Sequence, residues 1–269
     1  TSAASIGAWD SPIVEGVCLV LMVLGNTSFV TSWALLTGRL RQVLRATEVR
    51  LFVVLAPIAA GLVLASTLKH ANSWSKAVRV AVFEAVSALT TTGFSTTSYS
   101  GWSSAAMLIL IALMVIGGGA GSTAGGLKQL RVAVLLMAAR DEVRRRLLPT
   151  GTVVQSHVEQ GGRRSVVDGE VVRSTAGFAM LYGVTFLAGM LALCAYHLPL
   201  DEAAFEMASA LSTVGLSVGV TSPTCPDGVL WTLTASMFVG RLELVAVLVG
   251  LASCARIVAR LLAGVARER

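Results

Sequence analysis

A thirteen-residue motif that occurs twice constrains the fold of this chain more than any other feature. Residues 83–95 have the sequence FEAVSALTTTGFS, and residues 205–217, which lie 122 positions later, have the sequence FEMASALSTVGLS. Each copy begins as an apolar segment long enough for about three helical turns and ends in Thr-X-Gly, where glycine permits backbone conformations closed to other residues. Because non-helical backbone is tolerated at membrane depth only where protein or water satisfies it, the pattern predicts two re-entrant pore loops.

The regions around the two copies have the composition of a membrane protein. Hydrophobic residues make up 55% of the chain and charged residues 13%, against about 25% charged residues in a typical soluble domain. Apolar runs that are candidate spans or half-spans occupy residues 13–36, 51–68, 104–116, 175–198 and 229–255. The predicted fold class is therefore an all-α integral membrane protein built from span–pore-loop–span repeats.

The positive charges predict how the chain is oriented. Seventeen of the 21 Lys and Arg residues fall within 39–50, 128–173 and 256–269, beside apolar runs. This distribution argues against a nucleic-acid-binding domain and places the three basic regions in the cytoplasm. Lys69, Lys76 and Arg79 then lie on the outer side with both pore loops. Since two spans separate the copies, the repeats are parallel, unlike the inverted repeats of many carriers.

The residues after each short helix have the chemistry of a cation pathway. The carboxyl end of a helix is partially negative, and backbone carbonyl oxygens can replace the hydration shell of an ion. We therefore expect the two filter segments to bind a cation. They comprise Thr91, Thr92, Gly93 and Phe94 in the first copy, and Thr213, Val214, Gly215 and Leu216 in the second. The alternative is that both glycines merely cap short helices.

These residues resemble the Trk/Ktr/HKT superfamily of potassium and sodium transporters, and most closely the bacterial Trk-type potassium uptake membrane subunit. The resemblance implies four repeats around one pathway, of which this chain resembles the third and fourth. It also implies that a glycine loop interrupting the third inner helix, together with Arg241 on the fourth, forms a gate below the filter. The loop residues concerned are Gly117, Gly118, Gly119, Gly121, Ser122, Thr123, Gly125 and Gly126.

The organisation expected from this resemblance is incomplete, because two of the four pore loops are missing. Residues 1–37 resemble an inner helix of a preceding repeat, 38–50 a cytoplasmic basic linker, 51–148 the third repeat with a broken inner helix, 149–174 a cytoplasmic loop, and 175–269 the fourth repeat with a basic tail. We expect an N-terminal half or a second chain to complete the pore, and residues 1–12, without an initiator methionine, suggest a trimmed start. The resemblance further implies a homodimer in the inner membrane and a cytoplasmic nucleotide-binding regulatory subunit.

Several alternatives remain open at this stage. The glycine loop formally matches a dinucleotide fingerprint at 119–124, and Gly117, Gly121 and Gly125 also have small-xxx-small spacing typical of helix packing. Arg241 either faces the pathway or forms an ion pair with another helix. Glu84 and Glu206, within the pore helices, either attract cations or bind buried backbone amides.

The predicted function is potassium transport, gated below a carbonyl-lined filter, with no covalent cofactor. A sodium-selective relative, a carrier with a midplane site and a non-conducting scaffold left from a split transporter are the rivals. No nucleophile–base pair, metal-ligand cluster or Walker loop occurs in the sequence, so we do not expect an enzyme.

Overall fold

The structure, a computed structural model, describes residues 5–67, 73–99, 101–149, 155–222 and 225–267, with side chains described as far as residue 257. Lys69 and Arg269, which entered the charge count, lie outside these ranges. A 3-10 helix at Ser5–Ala8 precedes the helices α1 (Pro12–Asn26), α2 (Phe29–Leu36), α3 (Leu40–Arg45), α4 (Thr47–Thr67), α5 (Trp74–Leu89), α6 (Ser104–Ile116) and α7 (Gln129–Leu147). Two strands follow, β1 (His157–Gln160) and β2 (Arg163–Val166), and then α8 (Gly169–Ala195), α9 (Leu200–Leu211), α10 (Asp227–Arg241) and α11 (Leu244–Arg267).

The two pore helices, α5 and α9, are the centres of two similar helical units. Helix α5 packs against α4 and α6, and α9 packs against α8 and α10. The aromatic residue that opens the repeated motif, Phe83 in α5 and Phe205 in α9, is fully buried in each unit. Each pore helix also contacts a helix from an earlier part of the chain, α1 for α5 and α6 for α9. In both units, therefore, the pore helix contacts a helix that precedes it by several elements.

Two of the apolar runs that are candidate spans are bent. Residues 13–36 form α1 and α2, whose axes differ by 115°, and residues 229–255 lie in α10 and α11, which differ by 98°. The first break lies where the Ser28 hydroxyl caps α2 by accepting a hydrogen bond from the Thr31 amide at 3.2 Å. At the second break, Glu243 has a φ of +58°, which a helix cannot accommodate. Each of the two candidate spans is therefore a bent pair of helices, a feature that the sequence analysis did not predict.

The segment 149–174, predicted as a cytoplasmic loop, contains an antiparallel hairpin and the start of α8. Strands β1 and β2 pair His157 with Val166 and Gln160 with Arg163. Gly161 and Gly162 form the turn with φ values of +59° and +77°, the geometry that two-residue hairpin turns require and that glycine supplies without strain. The four residues of β2 are exposed, whereas in β1 Val158 is buried and only Gln160 is exposed, so the loop prediction was wrong about the strands.

The helices differ in their ability to cross a bilayer. Helices α4 and α8 are each long and apolar enough to do so alone, and the number of candidate spans in the described residues rises to four if each bent pair is counted as one. Helix α6 is apolar but has only 13 residues, fewer than the roughly 20 that a full span needs. It stops at the glycine loop, where the sequence predicted a helix break.

Candidate ion pathway

The two filter segments follow the same backbone path. Thr91 and Thr213 both have a φ of +53°, and the glycines two residues later, Gly93 and Gly215, have φ values of +80° and +93°. Positive φ is rare for residues with a β-carbon, so its recurrence at equivalent positions shows that the repeated sequence specifies one conformation. Two changes of backbone handedness within three residues turn the chain sharply away from the end of each pore helix.

The helix ends leave the filter carbonyl groups free. The amide of Thr92 donates to the Ser87 carbonyl at 3.0 Å, and the amide of Val214 donates to the Ser209 carbonyl at 2.8 Å. These bonds use the amide hydrogens of the filter rather than its carbonyl oxygens. Within the described ranges, the carbonyl oxygens of six filter residues accept no hydrogen bond from the protein, namely Thr91, Thr92, Gly93, Thr213, Val214 and Gly215. Unpaired carbonyl oxygens at a helix carboxyl end are suitable ligands for a cation.

The fourth residue of each filter segment differs between the copies. The carbonyl oxygen of Phe94 accepts a hydrogen bond from the Ser87 hydroxyl at 2.6 Å. In the second copy the equivalent hydroxyl, that of Ser209, instead accepts a bond from the Gly215 amide at 3.1 Å. The Phe94 side chain is 42% exposed and the Leu216 side chain only 3%. The two filter segments therefore have similar backbone paths but differ at their fourth residue.

The two filter segments lie against each other. A β-carbon placed on Gly93 would overlap the carbonyl oxygen of Val214, whereas one placed on Gly215 would meet no atom within 4 Å. The first glycine thus allows two backbones to approach closely, and the second faces open space. The structure brings together the eight predicted filter residues as two adjacent walls.

The pore-helix glutamates bind the backbone that follows the filter. The Glu84 carboxylate accepts hydrogen bonds from the amide and hydroxyl of Thr96, at 2.7 and 2.9 Å, and from the Tyr99 hydroxyl at 2.5 Å. Glu206 accepts equivalent bonds from the Ser217 hydroxyl at 2.5 Å and the Val218 amide at 2.9 Å. Both residues are buried. Of the two roles considered from the sequence, the contacts favour amide binding over cation attraction.

The glycine loop is anchored on one side by the preceding helices. The amide of Gly119 donates to the side-chain oxygen of Asn26 at 3.0 Å, and the next amide, that of Ala120, donates to the Glu48 carboxylate at 2.8 Å. The carbonyl oxygen of Gly121 accepts a bond from the Phe29 amide at 3.2 Å. Asn26 and Glu48 are each 5% exposed. The role of these two residues was missed from the sequence, where nothing indicates that such distant positions meet.

On its other side the glycine loop contacts both filter segments from below. The amide of Gly125 donates to the Thr91 hydroxyl at 2.9 Å. A β-carbon on Gly125 would overlap the Ser212 carbonyl oxygen and lie 2.6 Å from the Thr213 hydroxyl oxygen. Only a residue without a side chain fits at this position. The loop residue that contacts the filters most closely is therefore a glycine for steric reasons.

Two cavities meet at the tip of the loop, which is formed by Thr123 and Ala124. One cavity, of about 260 Å³, is lined by filter residues Thr90 to Thr92 and by Phe94. The other, of about 130 Å³, is lined by Thr213 and Arg241. Because Thr123 and Ala124 line both cavities, the tip of the loop separates them.

Charged side chains connect the bend between α10 and α11 with the glycine loop and the start of α7. Arg241, at the end of α10, donates to the carbonyl oxygen of Thr123 at 2.9 Å. In return, Glu243 forms ion pairs with Lys128 at 2.5 Å and with Arg131 at 3.1 Å. Within the part of the chain that the structure describes, Arg241 itself forms no ion pair. The interhelical ion pair considered for Arg241 thus belongs to Glu243, two residues later.

The competing interpretations of the glycine loop do not fit its structure. Gly117, Gly121 and Gly125 lie between α6 and α7 and not on a helix, so they form no small-xxx-small packing face. The dinucleotide fingerprint needs a parallel βαβ unit, and in the described residues the two strands are antiparallel neighbours joined by a tight turn. In the part of the chain that the structure describes, neither the helix-packing face nor the dinucleotide site is present.

Comparison with known proteins gives consistent results. The model of the TrkH family, described as a cation transport protein, matches residues 1–255. The Trk system potassium uptake protein TrkH of Escherichia coli K12 is 31% identical over 258 residues, covering 93% of this chain and 52% of the relative. The corresponding protein TrkI of Halomonas elongata is 28% identical over 258 residues, covering 92% and 51%. The chain thus spans about half the length of the curated relatives it matches.

A solved structure shares the fold. The crystal structure of the potassium transporter TrkH from Vibrio parahaemolyticus matches with a TM-score of 0.79 and 28% sequence identity, covering 92% of this chain and 54% of that one. The match confirms the fold class and the family resemblance that were predicted from the repeated motif. The relatives are named as uptake proteins and transporters, not enzymes, in agreement with the prediction.

Proposed function

Because the chain belongs to the TrkH family of cation transport proteins, we propose that it conducts monovalent cations, potassium first among them, across the cell membrane. The observation that carries this proposal is the pair of filter segments with matching positive-φ positions, set side by side above the glycine loop. Their unpaired carbonyl oxygens replace part of the hydration shell of a dehydrated cation. The two pore helices direct their partially negative ends at the same place.

A complete pathway needs pore loops in addition to the two in this chain. Helix α1 contacts α5 as α6 contacts α9, which supports α1 as an inner helix of a preceding repeat. We propose that residues outside this sequence, or a second chain, supply the remaining pore loops, in a homodimeric assembly of the inner membrane. The basic regions then face the cytoplasm, where a nucleotide-binding regulatory subunit has access to them.

The proposed gate is the loop formed by Gly117, Gly118, Gly119, Gly121, Ser122, Thr123, Gly125 and Gly126, together with Arg241. Its support is the position of the loop tip between two cavities, one beside the filter and one beside Arg241. The guanidinium charge at the Thr123 carbonyl raises the electrostatic barrier to a cation that passes the tip. The bond from Arg241 to Thr123 also holds the tip in place.

Replacing Arg241 with alanine is expected to raise potassium flux through the assembled transporter by several-fold, since both the charge and the bond to Thr123 are lost. Flux is measured as rubidium uptake at matched protein levels in cells that express the complete assembly. Arg256→Ala is the control, because Arg256 donates to its own helix at Ala252 and should leave flux unchanged. Equal flux in Arg241→Ala and the parent would show that this arginine has only a structural role.

The transport proposal is tested by potassium-limited growth of an uptake-deficient bacterium that expresses the chain, alone and with candidate N-terminal halves. We expect growth only when the four-walled assembly is complete. Parallel growth in limiting potassium with added sodium, followed by measurement of both ions in the cells, separates a potassium pathway from a sodium-selective one. Correct membrane insertion without growth under any combination would favour the non-conducting scaffold.

A further inference from the structure

A groove on the basic side of the molecule lies away from the filter and the glycine loop. It has a volume of about 610 Å³ and lies between α4, α7 and the hairpin. Thr47, Arg50, Leu51 and Val54 line it from α4, Ala133, Leu136, Met137 and Arg140 from α7, and Gln155, Ser156, His157, Glu159 and Arg164 from the hairpin segment. On both helices the lining positions recur at intervals of three and four residues, so each helix presents one continuous face.

The two helix faces have the same polarity. Helix α4 starts at its basic end, so Val54 lies about 6 Å farther along the axis from that end than Arg50 does. Helix α7 starts at the glycine loop and ends at the basic cluster 144–146, so Leu136 precedes Arg140 by about the same distance. The hairpin closes the basic end, where the Glu159 amide donates to the Thr47 hydroxyl at 2.9 Å. The groove is therefore apolar toward the membrane and basic toward the cytoplasm.

The basic end of the groove has an excess of positive charge. Arg50, Arg140 and Arg164 are all exposed, and among the described residues none of the three forms an ion pair with a carboxylate. Glu159 is the one acidic residue that lines the groove, so three positive charges face one negative charge. Farther from the basic end, the apolar side chains are also accessible: Val54 is 54% exposed and Leu136 is 59% exposed.

We propose that this groove binds an anionic phospholipid, with its phosphate between the three arginines and its first acyl carbons along Val54 and Leu136. Arginine forms paired hydrogen bonds with phosphate oxygens, and basic pockets between helices on the cytoplasmic side of a membrane suit anionic headgroups. The apolar wall favours a lipid over a free phosphate ion, because only a lipid covers both ends of the groove. The bound lipid would join α4, α7 and the hairpin.

The test is native mass spectrometry of the full chain, released from micelles that contain phosphatidylglycerol and phosphatidylcholine in equal amounts. We expect at least a fivefold preference for phosphatidylglycerol. Arg140→Gln and Arg164→Gln should each reduce its retention about fivefold, as expected for one basic residue facing an anionic headgroup. Arg145→Gln is the matched control, because Arg145 lies on the same helix outside the groove and should change retention less than twofold.

Three results would overturn the proposal. Equal retention of the two lipids would exclude selective binding of an anionic headgroup. An equal effect of Arg145→Gln and Arg140→Gln would indicate diffuse attraction to the basic surface. A phosphate-ion site would be indicated by two observations together. Millimolar inorganic phosphate would release phosphatidylglycerol, and Leu136→Ser would retain the lipid as well as the parent does. If Arg140→Gln fails to fold, the result for Arg164→Gln on the exposed strand β2 decides.

Discussion

Replacement of Gly93 with alanine is expected to reduce potassium uptake by the assembled transporter at least tenfold. The new β-carbon would overlap the carbonyl oxygen of Val214 in the neighbouring wall, so the two filter segments would have to move apart. The φ of +80° at this position adds a strain of roughly 1–2 kcal/mol for a residue with a β-carbon. Uptake is measured with rubidium at equal amounts of inserted protein.

Gly215→Ala provides a matched control within the same molecule. Its φ of +93° is as unfavourable, but its β-carbon meets no atom within 4 Å. We therefore expect Gly215→Ala to alter ion preference or reduce uptake less than Gly93→Ala does. Equal uptake by the two variants would mean that contact between the walls does not limit transport, and wild-type potassium preference in both would contradict the filter assignment.

Replacement of Glu84 with alanine is expected to destabilise the protein and to abolish uptake. The carboxylate is fully buried and accepts three hydrogen bonds, from the amide and hydroxyl of Thr96 and from the hydroxyl of Tyr99. Each buried donor left without a partner costs about 1–3 kcal/mol. The segment after the first filter would then lose its attachment to the pore helix. Thermal unfolding in detergent and rubidium uptake measure the two effects.

The glutamine variant separates support of the backbone from attraction of cations. The side-chain oxygen of Glu84→Gln can still accept a bond from Thr96, so stability and uptake should lie between those of the parent and Glu84→Ala. Glu142→Ala is the control, because Glu142 is 57% exposed and, among the residues that the structure describes, pairs only with Arg146 one turn later. If Glu84→Gln kept full stability but lost uptake as completely as the alanine variant, the charge itself would be required.

The repeated motif made the fold predictable to an unusual extent. Its two copies identified both pore helices, and the equivalent φ values at Thr91 and Thr213 and at Gly93 and Gly215 show how local the determinants of the filter are. The break at the glycine loop was equally predictable, because each glycine costs about 1 kcal/mol in a helix interior. Six of the ten residues from 117 to 126 are glycine, and α6 ends at Ile116.

What the sequence could not predict depends on contacts between distant residues. The bonds from Gly119 to Asn26 and from Ala120 to Glu48 join positions 93 and 72 residues apart. The bend between α1 and α2 depends on a serine cap inside a run that is otherwise apolar, and hydropathy alone does not distinguish such a run from a straight span. An ion pair with another helix was one of the two roles considered for Arg241, but the ion pairs in the structure are formed by Glu243. Glu243 has a positive φ at the bend between α10 and α11, and its side chain pairs with Lys128.

Each pore helix packs against a helix that was synthesised earlier, α5 against α1 and α9 against α6. Both pore helices are shorter than a bilayer span and contain a buried carboxylate, so neither is stable while surrounded by lipid. When a pore helix is synthesised, the earlier helix that it packs against is already present. Helices α4 and α8 are made shortly before α5 and α9, and each provides a second contact surface for its pore helix. Membrane insertion of this chain is therefore expected to proceed in the direction of synthesis, each newly made segment closing around one already in the bilayer.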